Sequence, residues 1–296
     1  VCVLKFLHSS QTAQWRSYLF RLPPGLLDIH FYPEMVMPYE KAGMGQGMLA
    51  VIDQGRDFLI QPFLQLNNGD GNLRHPYNFG GPIATEEFEL KKVNVNSIST
   101  FNPFLWVRQQ QLVKHRAVHI KNVVWIDLTK PLDLRQTTRH SVEKAEASGV
   151  TVELVEPTSE NIEVFSRLYV EHMQAVDAAE HFRFPKVWFE AFFSSLGKSM
   201  SSLLFAKHKD EVVGACILLH DDNTCYYHFA VSKRTPVGIA ARMVVSAVGF
   251  AKEKNHCRRL HLGGGVEPTD GLYRFKAGFS DLRAPVFRHE CKRNVN

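Results

Sequence analysis

Cysteine is scarce and unpatterned in this chain: five among 296 residues, Cys2, Cys216, Cys225, Cys257 and Cys291. An odd, scattered set excludes a disulfide-stapled scaffold, and no Cys-x-x-Cys or Cys/His pair has zinc-ligand spacing, so no metal is expected. Cys216 and Cys225 flank one predicted hairpin, where packed thiols in a reducing cytosol are the expectation. No apolar run approaches the roughly 20 residues that span a bilayer. The apolar start, Val1 to Leu7, has no secretory architecture around it, so a cytoplasmic protein with no transmembrane segment is expected. Excess charge is also lacking. Thirty-five Lys and Arg stand against 30 Asp and Glu, a net +5, which fits a nucleotide or an RNA end and gives no reason to expect DNA. There is no Gly-x-Ser-x-Gly elbow and no obvious Cys/His pair, so no covalent nucleophile is called for.

What is present is an ordinary globular composition, 45% hydrophobic and 22% charged, long enough for one large or two medium domains without staples. The chain is organised around residues 259–280. Arg259 to Leu262 alternates as a buried strand, and Gly263, Gly264 and Gly265 follow at once. Pro268, Thr269 and Asp270 offer helix-start chemistry, and Arg274 and Lys276 sit among the apolar anchors Leu272, Phe275 and Phe279. A strand, a glycine loop and two cations on a short helix suit a phosphate; a tight turn with a solvated lysine needs the same residues.

The second half has clear periodicity. Val150 to Val155 is a predicted strand, Asn161 to Val176 and Pro185 to Leu196 are helices, and three strands run over 202–208, 212–220 and 224–231. Pro236 to Lys254 is a long helix, and Ala284 to His289 a last strand. A three-strand meander with a helical crossover to a further strand makes a mixed α/β sheet. In the first half, helices over 11–20 and 28–41 precede a hairpin, Met48 to Asp53 and Asp57 to Leu64. Next comes the loop His75-Pro76-Tyr77-Asn78-Phe79-Gly80-Gly81-Pro82, which either lines a pocket or turns a corner. Phe101 to Lys114 is a helix or a bent connection, Val123 to Leu128 a strand and Asp133 to Gly149 a helix. Arg139, His140 and Lys144 on that helix either face an anion or form a solvated basic face. The matching order of the halves predicts a duplicated fold, residues 1–149 degenerate and 150–296 intact, with no flexible linker between.

In this order the sequence resembles the FemAB family of aminoacyl- and acyltransferases, built from two GNAT-like acyltransferase domains in tandem. The resemblance is carried by Tyr77-Asn78-Phe79-Gly80-Gly81-Pro82, Trp125-Ile126-Asp127-Leu128, Thr138 to Ala145, Tyr226-Tyr227-His228, His261-Leu262-Gly263-Gly264-Gly265 and Phe275-Lys276-Ala277-Gly278-Phe279. It implies an N-acyltransferase with no tightly bound cofactor. The co-substrate would be aminoacyl-tRNA, acyl-CoA or a carrier-bound acyl group. The partners would be an amine-bearing small molecule, amino sugar or envelope precursor and, with the first donor, a tRNA acceptor end. Lys276 would then meet a phosphate and Arg139 a second anion, with Tyr77, Asn78, Gly80, Gly81, Tyr227, Lys233, Arg234, Gly264, Gly265 and Arg274 around donor or acceptor. The sequence departs from the pattern in two places. Where CoA-binding relatives carry Arg/Gln-x-x-Gly-x-Gly/Ala, Arg234 to Gly238 is one residue longer and Pro236 has no N–H. Between residues 161 and 197 there is no room for the helical arm of the peptidoglycan enzymes.

Activated esters and thioesters need positioning and N–H donors to the oxyanion, expected from the strand edge at 228–231. His228 has the most suitable intrinsic pKa for a base, about 6.5, ahead of Asp177, Glu180 and Glu267; a packed core histidine is the other reading. Tyr227 alternates with His228, so the two share a pocket only if the strand is bulged. A non-catalytic protein that binds RNA or a nucleotide sugar is the second functional class, resting on Lys252, Lys254, Arg258 and Arg259 at a helix end. An adaptor in envelope or polysaccharide assembly is a third.

Overall fold

The computed structural model describes residues 3–67, 73–85, 88, 97–113, 117–233, 238–253, 257–267 and 269–290. The chain forms two compact units, Val1–Lys121 with Pro285–Asn296, and Asn122–Ala284.

The first unit opens on a strand, β1 (Val3–His8), and a helix, α1 (Thr12–Leu19). Trp15 on α1 is fully buried, and its indole N–H donates to the Phe31 carbonyl at 2.8 Å. The single helix expected over 28–41 is broken up. Two 3-10 turns, Ile29–Phe31 and Pro33–Met35, lead into the short α2 (Met37–Lys41). Pro33 and Pro38 each sit in a first turn, where the missing N–H is tolerated, and each would break a longer helix. The hairpin β2 (Gly45–Asp53) and β3 (Phe58–Leu66) follows. The short strands β4 (Leu73–Arg74), β5 (Ile83–Ala84) and β6 (Ser97–Thr100) come next, then α3 (Trp106–Leu112).

Strand β7 (Val118–Asp127) and helix α4 (Gln136–Ala147) lead to β8 (Thr151–Val155) and α5 (Ser159–Ala175). The Thr158 hydroxyl caps α5 by accepting from Asn161 N at 3.2 Å. Next come α6 (Lys186–Leu196), the meander β9 (Ser201–His208), β10 (Glu211–His220) and β11 (Thr224–Ser232), and α7 (Ile239–Glu253). After these lie β12 (Arg259–Gly263), α8 (Gly271–Lys276) and β13 (Arg283–Glu290). Helix α7 buries Met243, Val244, Ala247 and Ala251 in a core shared with Val142 and Ala145 of α4 and with Cys216, Leu218, Leu260 and Leu262 of the strands. At about 1.5–3 kcal/mol for each large side chain buried, this stripe holds α7 to the sheet far more strongly than helix propensity does.

The two units share one strand plan. In the first, β1, β2, β3 and β4 run antiparallel in order, β6 is parallel to β4, and β13 is antiparallel to β6. In the second, β8, β9, β10 and β11 run antiparallel, β12 is parallel to β11, and β7 is antiparallel to β12. The sixth strand of each sheet therefore comes from far along the chain. Val124–Asp127 of β7 complete the second unit, and Arg288–Glu290 of β13 the first. This places the division at 121/122 instead of the expected 149/150, because β7 and α4 pack with the later residues. The first unit is the reduced copy. Among the described residues no helix joins β4 to β6, where α7 joins β11 to β12 in the second.

Candidate active site

In the second unit the parallel ladder between β11 and β12 is three pairs long: Thr224 with Arg259, Cys225 with Leu260, and Tyr226 with His261. Strand β12 ends at Gly263 while β11 continues to Ser232, so among the described residues the later part of β11 has no β12 partner. Its main-chain groups that point away from β10 line the wedge that opens between the strands. At the mouth of the wedge β11 is bulged. Leu218 pairs with Tyr227 and Ile217 with Phe229, which leaves His228 as the extra residue. A bulge puts neighbouring residues on one face, and here those are His228 and Phe229. The His228 ring is half-buried and lies parallel to Phe192, centroids 6.1 Å apart, beside the aromatic group of Tyr169, Phe184, Trp188 and Phe189 around Phe229. A cavity of about 130 Å³ on this face is lined by Tyr169, Met173, Phe184 and Pro185, with Arg183 at its rim.

Tyr227 turns the other way, against the core that α4 and α7 cover, and hydrogen-bonds with the Cys216 thiol; burial pushes its phenol well up. The strand is thus bulged, yet the two side chains still face opposite sides of the sheet. Cys216 and Cys225 are not opposite each other in register, and Cys216, Cys225 and Cys257 are all buried free thiols. A hydrogen bond with Cys257, together with burial, raises the Cys225 thiol well above its ordinary value.

The glycine loop is held from one side by α8. Lys276 Nζ donates to the Gly264 carbonyl at 2.8 Å, and a Cβ at Gly263 (φ +80°) would lie 3.1 Å from that Nζ. Asp270 caps α8 by accepting from Tyr273 N at 2.8 Å, and its other oxygen accepts from Val266 N (2.8 Å) and Glu267 N (3.1 Å). A Cβ at Gly265 would fall 2.1 Å from Asp270 Oδ1. The glycines at 263 and 265 therefore admit a lysine and an aspartate of this chain. The donors at 266 and 267, which a phosphate would have used, are spent on Asp270. Burial opposes the charge on Asp270, but the N–H groups of Tyr273, Glu267, Val266 and Leu272 outweigh it and hold the carboxyl below its ordinary value.

Helix α4 stands between α8 and the start of α7. Thr138 packs on Gly278, and a Cβ at Gly238 (φ +75°) would lie 2.2 Å from the Ser141 carbonyl oxygen. Arg139 on this helix is exposed, with only a loose 4.0 Å approach to Asp133. Arg274 is exposed on α8. Lys233 is ion-paired with Glu211. Arg234 and Pro236 lie outside the described residues, as does Lys254. Much of the basic cluster is engaged locally: Lys252 donates to the Lys130 carbonyl and Arg259 Nε to the Thr224 hydroxyl. Among the other base candidates, Glu180 and Glu267 are exposed, and Asp177 is an exposed neighbour of Arg183. Among the described residues no three His, Cys, Asp or Glu side chains are grouped to hold a metal, and no helix is long and apolar enough to cross a membrane.

In the first unit, the 75–82 loop is tightly packed. Gly80 lies against the His75 side chain, Gly81 (φ +97°) against Phe101, and Gln109 Nε2 donates to the Gly80 carbonyl at 2.7 Å. Packing alone accounts for these two glycines. Tyr77 and Asn78 are half-buried, and burial pushes the Tyr77 phenol up to about 12. Sequence reasoning missed what holds this loop, the buried Asp28 and His30. Their only sequence signal is an Asp-x-His step inside a segment that reads as helix.

Residues 133–277 match the acetyltransferase (GNAT) domain family. That segment is similar to GNAT acetyltransferase domains. No curated protein sequence is significantly similar to the chain. Among solved structures, FemX shares 10% identity at a TM-score of 0.62, over 96% of each chain. A conserved protein of unknown function from Bacteroides thetaiotaomicron aligns with a TM-score of 0.65 at 10% identity, over 97% of this chain and 99% of the other. A tandem GNAT protein from the clavulanic acid biosynthesis pathway aligns at 0.53 and 10% identity, over 99% and 100%. The fold of the whole chain is thus the tandem GNAT fold that the sequence resembles. The activity class of the GNAT domain is acyl transfer to an amine, for which acyl-CoA is the family's co-substrate.

Proposed function

We propose that the second unit transfers an activated acyl or aminoacyl group to the amine of a small metabolite, amino sugar or envelope precursor. The observation that carries this reading is the wedge where β11 leaves β12, with His228 bulged at its mouth. A donor carbonyl lying along β11 would meet main-chain N–H groups of 228–231, which stabilise a tetrahedral oxyanion without reorganising during reaction. The carbonyl carbon is attacked by the amine nitrogen, the C–O or C–S bond to the donor breaks, and the amine loses one proton. His228 is assigned to take that proton, directly or through a water. Gly264, Gly265, Lys276, Arg274 and Arg139 are assigned to the donor, with Lys276 both holding the Gly264 carbonyl and offering its charge to a phosphate. Tyr77 and Asn78 are assigned to a binding loop of the first unit by itself. The aromatic cavity on the His228 face suits a side chain of a few carbons.

The chemistry of the donor is the finer question. A labelled charged-tRNA pool and labelled acetyl-CoA would be offered separately, with an extract of small amines. RNase-sensitive transfer identifies an aminoacyltransferase, and transfer from acetyl-CoA identifies a CoA enzyme with an atypical 233–238 loop. In either arm Lys276→Ala should weaken donor binding by about 1.5–3 kcal/mol with the fold retained. Consumption of neither donor by the wild type, nor of a carrier-bound thioester, sinks the reading.

A further inference from the structure

The second unit carries an apolar cavity beside its wedge, and the course of the chain fixes where it lies. Strand β8 runs opposite to β11, since the ladders β8–β9, β9–β10 and β10–β11 are each antiparallel. Helix α5 leaves the end of β8 and packs back across β10 and β11, so it runs in the direction of β11. Tyr169 stands over Phe229, ring centroids 5.7 Å apart, and Met173 follows one turn later. That turn lies toward Val231 and Ser232, the stretch of β11 beyond the end of β12. Here the cavity of about 130 Å³ is enclosed by Tyr169, Val170 and Met173 of α5 and by Phe184 and Pro185 ahead of α6.

The polar groups around it are largely engaged by the chain itself. The Tyr169 hydroxyl donates to the Phe182 carbonyl, and Arg183 Nε donates to the Ala178 carbonyl at 2.8 Å. Arg183 also pairs with Asp177 at 3.4 Å, where φ of +48° turns the chain out of α5. These bonds hold the connection between α5 and α6 in place, so the cavity is formed before any ligand arrives. Its walls are two aromatic rings, a thioether, a valine and a proline ring, and Gln174 is exposed at its mouth. An apolar cavity of about 150 Å³ takes up benzene, so one slightly smaller suits an apolar group of about four to six carbons. A sugar ring would bring hydroxyls that lose water there without gaining partners.

We propose that this cavity selects the acyl acceptor, an amine that carries a branched or aromatic apolar group and not an amino sugar. The acceptor role rests on the acyltransferase reading, in which His228, on the same face of the sheet, takes the amine proton; the preference for an apolar group does not. The full-length chain with carbon-13 methionine methyls tests the preference without turnover. Isoamylamine and phenethylamine should each shift the Met173 methyl signal, identified as the one missing from Met173→Leu, with a Kd on the order of 1 mM. Glucosamine should leave it in place. No shift with either apolar amine, or an equal shift with glucosamine, overturns the proposal. In the transfer assay the same two amines should be acylated in preference to glucosamine. Val170 is 39% exposed, so Val170→Phe fills the cavity from the surface without disturbing the core. It should raise KM for the apolar amine about tenfold with donor KM unchanged. An unchanged amine KM overturns the acceptor role, and a raised donor KM in its stead moves the cavity to the acyl group. If Met173 responds but no amine is acylated from any donor, the acyltransferase reading falls and the apolar preference stands. If glucosamine is the better acceptor, that reading stands and the proposal falls.

Discussion

Replacing Gly265 by alanine should act through a residue five positions away. The new Cβ would lie 2.1 Å from Asp270 Oδ1 and 2.6 Å from the Glu267 carbonyl oxygen. The carboxylate must therefore withdraw from the Val266, Glu267 and Tyr273 N–H groups that it now accepts from. Val266 and Glu267 are exposed, so water replaces the protein there, and the main loss is the helix cap, about 1 kcal/mol. With the weakened charged bonds the whole effect should be about 1–3 kcal/mol. For a unit of this size that lowers Tm by roughly 2–10 °C, read by circular dichroism. The pH dependence gives a second signature. Asp270 has a depressed folded pKa, so its stabilisation is present above the ordinary carboxylate pKa and is lost as pH falls through the lower folded value. The gap between wild type and Gly265→Ala should narrow in that acid range. The double-mutant cycle is decisive: with Asp270→Ala already in place, Gly265→Ala should cost at least about 1 kcal/mol less than it does alone. Strict additivity would refute the reasoning.

Gly238→Ala places a Cβ 2.2 Å from the Ser141 carbonyl at a φ of +75°, so about 2–4 kcal/mol should be lost from the packing of α4 on α7 in urea unfolding. Burial holds His75 neutral with a pKa lowered to about 4. A depressed histidine stabilises above its unfolded pKa, so stability should fall as pH drops from about 6.5 toward 4, by up to about 3 kcal/mol. His75→Gln should flatten that part of the profile, and an unflattened profile would show that other groups carry it.

The second unit was legible because its information is local. Helix α5 shows its buried face as Ile162, Phe165, Leu168 and Tyr169 at helical spacing, and β9 to β11 are separated by plain turn residues. The segment over 28–41 was misread for an equally local reason. Its apolar spacing suits a helix, but Pro33 and Pro38 restart the chain twice within it. Strand β1 passed as an unassigned apolar start, since six residues without a nearby partner carry no pairing signal.

At the site, the sequence by itself determined which residue types are available: a strand ending in glycines, a short helix with Asp270 and Lys276, and an alternating run through Tyr227 and His228. Spacing of this kind survives in one dimension because helices and strands repeat over a few residues. The tertiary structure alone decided what those residues meet. The bulge at His228 is a register shift against Ile217 and Leu218, and the sixth strand of each sheet arrives from far along the chain. Gly265 makes room for Asp270 where sequence suggested room for a phosphate, and Asn78 meets His30 from 48 positions away. Contacts of that range depend on how whole sheets and loops close. No local pattern encodes them, because a side chain's partner is chosen by the packing of everything between.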